Sequence, residues 1–394
     1  MEFYILDNDR HMVAVVDYFM SAIWTPRYSD VGDFELQLPP SIEVFKTIKE
    51  DYFVTRLDDD MVGVIEKIRL VTDSESGNYI LVSGRCAKSI LDRRIVWRQT
   101  TLSGTVEDCV RQLITENVVS PADPNRRITG FRLADRKGFK WTMGMQVTGD
   151  NLLEVITKIC KTYGYGFKVI LENDEFVFVL LKGADRSLSQ EINPHVEFSP
   201  EFDNVITIEY AKEKTEFKNV ALIAGEGEGA DRKNTSVGQA SGLNRRELFV
   251  DARDISTNDG EIDSGTYDAL LSERGQEKLA ECVMSTEFSG QVEPSTNYEY
   301  KVDYFLGDVI QITNEYGVTA TCRISEMIEC EDAMGYSITP TFEEVTVDDM
   351  VLIEGESTSS YFVETENGET FGINNISESE KNLKNDSLLL TVTT

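Results

Sequence analysis

Phe34-Glu35-Leu36-Gln37-Leu38-Pro39-Pro40 alternates apolar and polar residues and then stops on two prolines. A period of two places Phe34, Leu36 and Leu38 on one face of a strand, and proline cannot donate to a ladder that would prolong it. Immediately afterwards the period changes. Ser41 can cap a short helix over 41–48, with Ile42, Phe45 and Ile48 on one face. A half-buried strand followed by a capped helix predicts a β-rich α+β architecture, and the flanking sequence agrees. Met12–Val16 is a strand-sized apolar run. Residues 62–70 alternate again through Val62, Val64 and Ile68, and a turn at Ser76-Gly77-Asn78 leads into 79–83 as a hairpin. Residues 1–100 therefore read mainly as strands.

Residues 101–200 are mixed. The stretch 105–114 is an amphipathic helix with Val106, Val110, Leu113 and Ile114 inward, and 121–127 is polar. Residues 151–163 give the clearest helix, with Leu152, Val155, Ile156 and Ile159 at helical spacing and Gly164 as its stop. The strands 167–171 and 176–181 are joined by Glu172-Asn173-Asp174-Glu175 as a hairpin. Residues 201–345 return to strands, with one helix near 267–284. Residues 222–243, rich in Gly, Ser and charge, read as a mobile loop. Residues 298–342 read as a compact barrel or meander with segments 299–304, 309–313, 320–328 and 337–342. Residues 346–394 change character. From 343 onward there are 12 acids against Lys381 and Lys384, and Asn367-Gly368 marks one hairpin over 362–371. This part reads as an acidic extension, and no internal repeat is evident.

The chain has 394 residues, enough for two to three domains, and 41% hydrophobic residues, enough for more than one core. Its formal net charge is −32. Such a surface repels phosphate backbones and anionic membranes, which excludes specific nucleic-acid binding as the main function. The start, Met1-Glu2-Phe3-Tyr4, is not read as a secretory signal, and no apolar run is long enough to span a bilayer. Six cysteines without a CxxC spacing are read as reduced thiols, mostly buried, made in a reducing cytosol.

Catalytic chemistry finds little purchase. Only His11 and His195 are present, neither beside a nucleophile motif, and GxSxG and HExxH are absent. Gly225-Glu226-Gly227-Glu228-Gly229 follows an apolar run, but its spacing is GxGxG and its glutamates would repel a pyrophosphate. Asp58-Asp59-Asp60 and the stretch 254–263 offer carboxylates, yet Asp259 occupies the position where an EF-hand needs glycine, so both read as solvated acidic loops. Trp24, Trp97 and Trp141 are read as packing residues. The sequons at Asn234, Asn375 and Asn385 carry no weight without a secretory signal. No catalytic residue, cofactor or metal ligand is assigned, and the expectation is a protein that is not an enzyme.

Several stretches, in order, carry a resemblance. They are Leu6-Asp7; Trp24-Thr25-Pro26-Arg27-Tyr28; Gly32-Asp33-Phe34-Glu35-Leu36-Gln37-Leu38-Pro39; and Val82-Ser83-Gly84-Arg85-Cys86-Ala87-Lys88-Ser89-Ile90-Leu91-Asp92-Arg93-Arg94-Ile95. Then follow Phe198-Ser199-Pro200-Glu201-Phe202-Asp203-Asn204-Val205, Lys218-Asn219-Val220-Ala221-Leu222-Ile223-Ala224-Gly225-Glu226-Gly227, Gly242-Leu243-Asn244-Arg245-Arg246-Glu247 and Tyr304-Phe305-Leu306-Gly307-Asp308-Val309. Together they resemble the siphophage baseplate or tail-tip hub family, the amino-terminal module of tail-associated proteins, over roughly residues 1–345.

The resemblance implies a virion tail component assembled in the host cytoplasm. It implies a homotrimer with two tube-type β-barrel domains per subunit, so that six barrels form a pseudo-sixfold ring. The division it suggests is 1–100 first barrel domain, 101–200 inserted α+β domain, 201–345 second barrel domain with one helix, and 346–394 acidic extension. Expected partners are the distal tail protein or tail tube, the tape measure protein, and a tip fibre or receptor-binding protein, with DNA passing through the ring on ejection. An acidic lumen would keep that passage from holding DNA. The 225–242 loop is a candidate plug or inter-subunit contact. Relatives often continue into a peptidoglycan hydrolase, for which 346–394 leaves no room. The alternatives are a wall-carbohydrate or receptor-binding protein, using exposed aromatics such as Trp97 or Tyr361, and a tail-associated hydrolase.

Overall fold

The computed structural model describes residues 1–73, 77–207, 209–257, 262–282, 285–289 and 297–345, together with the strand backbone at 360–364, 370–374, 384–385 and 390–391. The chain opens with strands β1 (Phe3–Leu6), β2 (Met12–Val16), β3 (Ser21–Thr25) and β4 (Asp33–Leu38), then helix α1 (Ile42–Thr47), then β5 (Phe53–Thr55), β6 (Gly63–Val64), β7 (Lys67–Asp73) and β8 (Gly77–Arg85). The alternation on β4 is realised, with Phe34, Leu36 and Leu38 buried and Glu35 exposed. Ser41 caps α1 through Oγ, which accepts from Val44 N at 3.3 Å. Of the three residues expected on its inner face only Ile48, which ends the helix, is buried; Ile42 and Phe45 face outward, and Val44 packs on the core instead.

Residues 62–70, expected as one strand, form two. β6 belongs to a four-stranded sheet ordered β2-β1-β5-β6, whereas β7 belongs to a different, ten-stranded sheet. The chain crosses between them at Ile65 and Glu66, whose N–H groups donate to Tyr52 O and Ser83 O. Burial does not alternate across this corner: Val62 to Ile65 are all buried and Glu66 and Lys67 exposed, because the chain passes from one sheet to the other.

The middle of the chain holds β9 (Thr100–Thr105), α2 (Val106–Ile114), β10 (Phe131–Leu133), β11 (Thr142–Val147), α3 (Leu152–Thr162), β12 (Gly166–Glu172) and β13 (Glu175–Leu181). Both helices are as the periodicity predicts. α2 buries Val106, Val110, Leu113 and Ile114 behind a Thr105 cap, and α3 buries Leu152, Val155, Ile156 and Ile159 behind an Asn151 cap. The β12–β13 hairpin turns on Asn173 and Asn173's neighbour Asp174, both left-handed (φ 50° and 60°), the two-residue geometry that matches strand twist.

Next come β14 (Glu197–Phe198), β15 (Glu209–Glu213), β16 (Val220–Ala224), β17 (Asn234–Val237), β18 (Glu247–Asp251), α4 (Ser264–Ala280), β19 (Ser285–Ser289), β20 (Val309–Thr313), β21 (Thr319–Asp332) and β22 (Gly335–Glu344). Here three expectations are corrected. Residues 222–243 are not a mobile loop: β16 pairs antiparallel with β17 and parallel with β18, and α4 covers this sheet with Tyr267, Leu270 and Leu271. β17 escapes a composition-based reading because it is Asn-Thr-Ser-Val with a largely exposed face. The helix runs from Ser264 to Ala280, capped by Asp263, which accepts from Gly265 N and Thr266 N. Residues 299–304 are turns rather than a strand, because Lys301 is left-handed (φ 69°) and its N–H closes onto Tyr304 O. Beyond these, β23 (Ser360–Glu364) and β24 (Thr370–Asn374) pair antiparallel as the sequence predicts, with the Asn367-Gly368 turn outside the described residues.

The ten-stranded sheet runs β15-β19-β22-β21-β3-β4-β8-β7, with β20 and β14 attached at β21. Its centre is the antiparallel pairing of β21 with β3, Glu329 opposite Trp24 and Cys330 opposite Ile23. Strands from the beginning of the chain and from beyond residue 300 are thus hydrogen-bonded into one sheet. Buried side chains gather in four clusters: under β1–β8, around α2 and α3, between β20, β21 and β22, and between α4 and β16–β18.

Candidate functional site

Three of the segments that carried the resemblance, 24–28, 82–95 and 304–309, meet at one junction. Lys88 is at its centre. The residue is buried, and its ammonium donates to the carbonyls of Arg27 (2.8 Å), Tyr28 (3.0 Å) and Asp30 (2.8 Å) while lying 4.5 Å from the centre of the Phe167 ring. Three acceptors match the three ammonium protons. Burial pushes the Lys88 pKa down to about 8, so the group still carries its proton at neutral pH. The effect is to fix the loop between β3 and β4, whose backbone is otherwise held by a single bridge of Arg27 to Glu326 on β21 and by bonds at Tyr28.

That loop presents Tyr28. Its backbone N–H donates to Ser325 O on β21 at 2.9 Å, and its carbonyl accepts from Phe167 N on β12 at 3.2 Å. Its hydroxyl accepts from Gly183 N at 3.0 Å. The ring is held between Gly166 and Gly307, where any Cβ would overlap it, and the Arg323 guanidinium stands 5.2 Å from its centre. Gly307 is left-handed as well (φ 95°), so glycine is required there by backbone and by space. Beside it, Asp308 accepts from Ala184 N (2.8 Å), Phe305 N (3.0 Å) and Arg186 Nε (2.7 Å). The Gly307-Asp308 pair therefore clamps the end of β13 to β20, and Tyr28 ties both to β3.

A second, ionic layer crosses the same junction. Arg56 and Glu329 are both buried and meet at 3.0 Å; Arg56 also grips Asp58. Lys301, aimed by its left-handed turn, reaches Asp59 at 2.6 Å and Glu329 at 3.4 Å. Tyr336 donates to Glu329 at 2.9 Å. Burial opposes the charge on Arg56, but the hydrogen bond to Asp58 and the charges of Glu329, Asp58 and Asp59 outweigh it and move its pKa up. The Asp58 carboxyl is held below its ordinary value, chiefly by Arg56. Beside this layer lies an open cleft of about 710 Å³ bordered by Asp60, Lys168, Arg186, Lys301 and Asp308.

The residues singled out by sequence sort as follows. Asp58 and Asp60 are exposed to solvent, as the sequence reading has them, and also pair with Arg56 and Lys168, whereas Asp59 is withdrawn from solvent against Lys301. Asp254 pairs with Arg274 at 3.0 Å, and residues 258–261 lie outside the described residues. The Gly225–Gly229 loop leans on α4, with Glu226 N donating to Tyr267 Oη at 2.8 Å. His11 is exposed beside Asp7 and Asp9, and exposed His195 bonds Gln190 O at 2.6 Å. Neither histidine contacts a nucleophile among the described residues. None of the six cysteines is placed in a disulfide, and four are buried; burial pushes Cys109 up to about 11 and Cys160 up to about 12. Trp24 is fully buried and Trp141 half-buried as packing residues, while Trp97 stands on the surface. The junction roles of Lys88, Tyr28 and Gly307 lay within quoted motifs without a stated role. Arg56 and Glu329 gave no sequence signal, since their partners are distant in the chain.

A model of the family described as "Siphovirus ReqiPepy6 Gp37-like protein" matches residues 2–342. No curated protein sequence matches the chain. Among solved structures, the tail protein from Neisseria meningitidis MC58 superimposes with a TM-score of 0.52 at 14% identity, covering 87% of this chain and 96% of its own. The 43 kDa tail protein of prophage MuSo2 from Shewanella oneidensis gives 0.54 at 13% identity, covering 87% and 98%. At these identities the likeness is one of fold.

Proposed function

The chain belongs to the Siphovirus ReqiPepy6 Gp37-like family of siphovirus tail proteins, and from that premise we propose that it is the non-enzymatic structural hub of the tail tip. In this reading three copies form a ring. Each contributes two barrel-type lobes, one from residues 1–100 and one from 201–345, braced by the inserted 101–200 region, so that a pseudo-sixfold upper face meets the tail tube or distal tail protein. The threefold lower face receives the tip fibre or receptor-binding protein, with 346–394 as a tether, and the tape measure protein and DNA pass through the centre.

The observation that carries this reading is the junction. The β3–β21 pairing, the Lys88 and Tyr28 clamp and the Arg56–Glu329 layer make one frame out of segments from both ends of the matched region. A frame that must hold its shape under load while a polymer passes needs such internal cross-bracing, and it needs no catalytic residue. Two further features support it. The net charge of −32 suits a passage that must release DNA. The free edge strand β2 exposes Met12, Val13 and Val15, with Tyr18 just beyond, and β16 and β18 expose Leu222 and Phe249 side by side. An apolar edge and an apolar sheet face of this kind suit burial against a neighbouring subunit.

Mass photometry of the purified chain over a concentration series tests the proposal. A species of three chains, with a central hole in negative-stain images, is the expected result. A monomer at every concentration, unchanged when the tail-tube protein is added, overturns it.

A further inference from the structure

A surface recess far from the junction chemistry has no part in the hub reading. Trp97 is 62% exposed, the most open tryptophan of the three, and borders a recess of about 580 Å³. That volume falls within the roughly 300–1,000 Å³ typical of small-molecule sites. The indole is held rather than loose. Its backbone N–H donates to Asn117 Oδ1 at 3.3 Å, and the Arg126 guanidinium stands 5.1 Å from the ring centre. Arg126 is itself fixed by Ile95 O (2.7 Å) and by the same Asn117 Oδ1 (3.1 Å). Asn117 is buried, and its amide nitrogen is spent on Leu113 O at 2.9 Å. It reaches this position because α2 does not end regularly but widens into a π-helical turn over Thr115–Val119. Such turns recur at functional sites because they push side chains out of the helical register. Here the turn also brings Glu116 to the recess, where it accepts from Gln112 at 2.9 Å.

The remaining wall is polar and uncommitted. Arg98 and Gln99 are exposed and make no side-chain bond among the described residues. Charge narrows the ligand. Arg98 and Arg126 are matched by Glu116 and Asp123, so the recess is locally neutral in a chain of net −32. A phosphorylated or carboxylated ligand finds no surplus of cations. An apolar peptide finds little apolar wall beyond Trp97 and Ala122. A pyranose ring, with an apolar C–H face and a hydroxyl rim, fits both an aromatic platform and planar amide and carboxylate partners. We propose that the Trp97 recess is a binding site for an uncharged saccharide unit, stacked on the indole face away from Arg126 and hydrogen-bonded at its rim by Gln99, Gln112 and Arg98.

The test uses the full chain with chitotriose, cellotriose and maltotriose as uncharged probes and trigalacturonate as the anionic control, by titration calorimetry and saturation-transfer NMR. The expected result is binding of at least one uncharged trisaccharide, at least tenfold weaker in Trp97→Ala, partly retained in Trp97→Phe and weakened in Gln112→Ala, with thermal melts of all variants matching the parent. Three results overturn the proposal: no uncharged probe bound at millimolar concentration, binding unchanged in Trp97→Ala, or binding of trigalacturonate alone. None of these outcomes depends on whether the chain trimerises.

Discussion

The junction around Tyr28 and the recess around Trp97 both use an aromatic ring flanked by an arginine, yet they differ in what their polar groups are bonded to. At the junction the named polar groups are almost all committed within the chain: Lys88 donates to three carbonyls, the Asp308 carboxylate accepts from three N–H groups, and Arg56 meets Asp58 and Glu329 through Nε and Nη2, its Nη1 being left without a partner. At the recess the supporting layer is spent but the outer one is not, since the side chains of Arg98 and Gln99 have no hydrogen-bond partner among the described residues. A saturated cluster can only stabilise. A cluster with a fixed base and free rim groups can bind. The largest effects on stability should therefore fall on the first region, and the smallest on the second.

Gly307→Ala should be the most damaging. The added methyl overlaps the Tyr28 ring, and the backbone is left-handed (φ 95°). Overpacking and strain together are expected to cost about 5 kcal/mol, read as loss of the soluble folded protein or a large fall in urea midpoint. Lys88→Met follows. Its methylene stem is replaced, but the Arg27 and Asp30 carbonyls lose the ammonium donor and the buried Tyr28 carbonyl loses one of its two, a loss of about 4 kcal/mol by urea denaturation. Arg56→Met leaves Glu329 buried without its closest cation, although the Lys301 amine remains within 3.4 Å. About 3 kcal/mol is expected, with most of it recovered in the double variant Arg56→Met, Glu329→Leu, because buried ion pairs replace well with apolar groups. If Gly307→Ala and Lys88→Met instead cost less than substitutions on the Trp97 rim, the contrast between the two regions fails.

A pH series sharpens the same contrast. Below pH 8 the folded and unfolded chains both hold the Lys88 proton, and the burial penalty on the charge is carried in full. Between about 8 and the ordinary 10.5 the folded chain can release the proton while the unfolded chain keeps it, so Lys88 contributes more stability as pH rises. The stability gap between parent and Lys88→Met should widen by about 2 kcal/mol from pH 7.5 to 9.5. A gap that is flat or narrows over that window would show that the burial of the amine does not set its proton affinity.

Much of the fold was readable from local pattern. The alternation of Phe34 to Leu38, the two capped helices and the Asn173-Asp174 hairpin depend on residues close in sequence, where period and turn chemistry act directly. What was not readable depends on distant partners. Nothing near Trp24 announces that it lies opposite Glu329, and the polar strand β17 exists because β16 offers it a ladder, not because its own residues favour burial. The left-handed Lys301 breaks an expected strand for the sake of a salt bridge to Asp59. The same limit applied to the tryptophans. Composition treats Trp24 and Trp97 alike, whereas the first faces Phe3 and Phe34 in a core and the second faces solvent.

Trp97→Ala is accordingly expected to be nearly silent in stability, under about 0.5 kcal/mol, because exposed apolar surface contributes little to folding and the Arg126 hydrogen bonds to Ile95 and Asn117 survive without the indole. Asn117→Ala is the informative companion. It removes the acceptor shared by Trp97 N and Arg126 and the amide that closes onto Leu113 O, so it should cost about 1–2 kcal/mol and release the indole. If the recess is a built site, Asn117→Ala should broaden the Trp97 indole N–H resonance and weaken saccharide binding. If Trp97 is only a surface residue, the two variants should differ in stability alone, and the indole of Asn117→Ala should keep the chemical shift and line width of the parent.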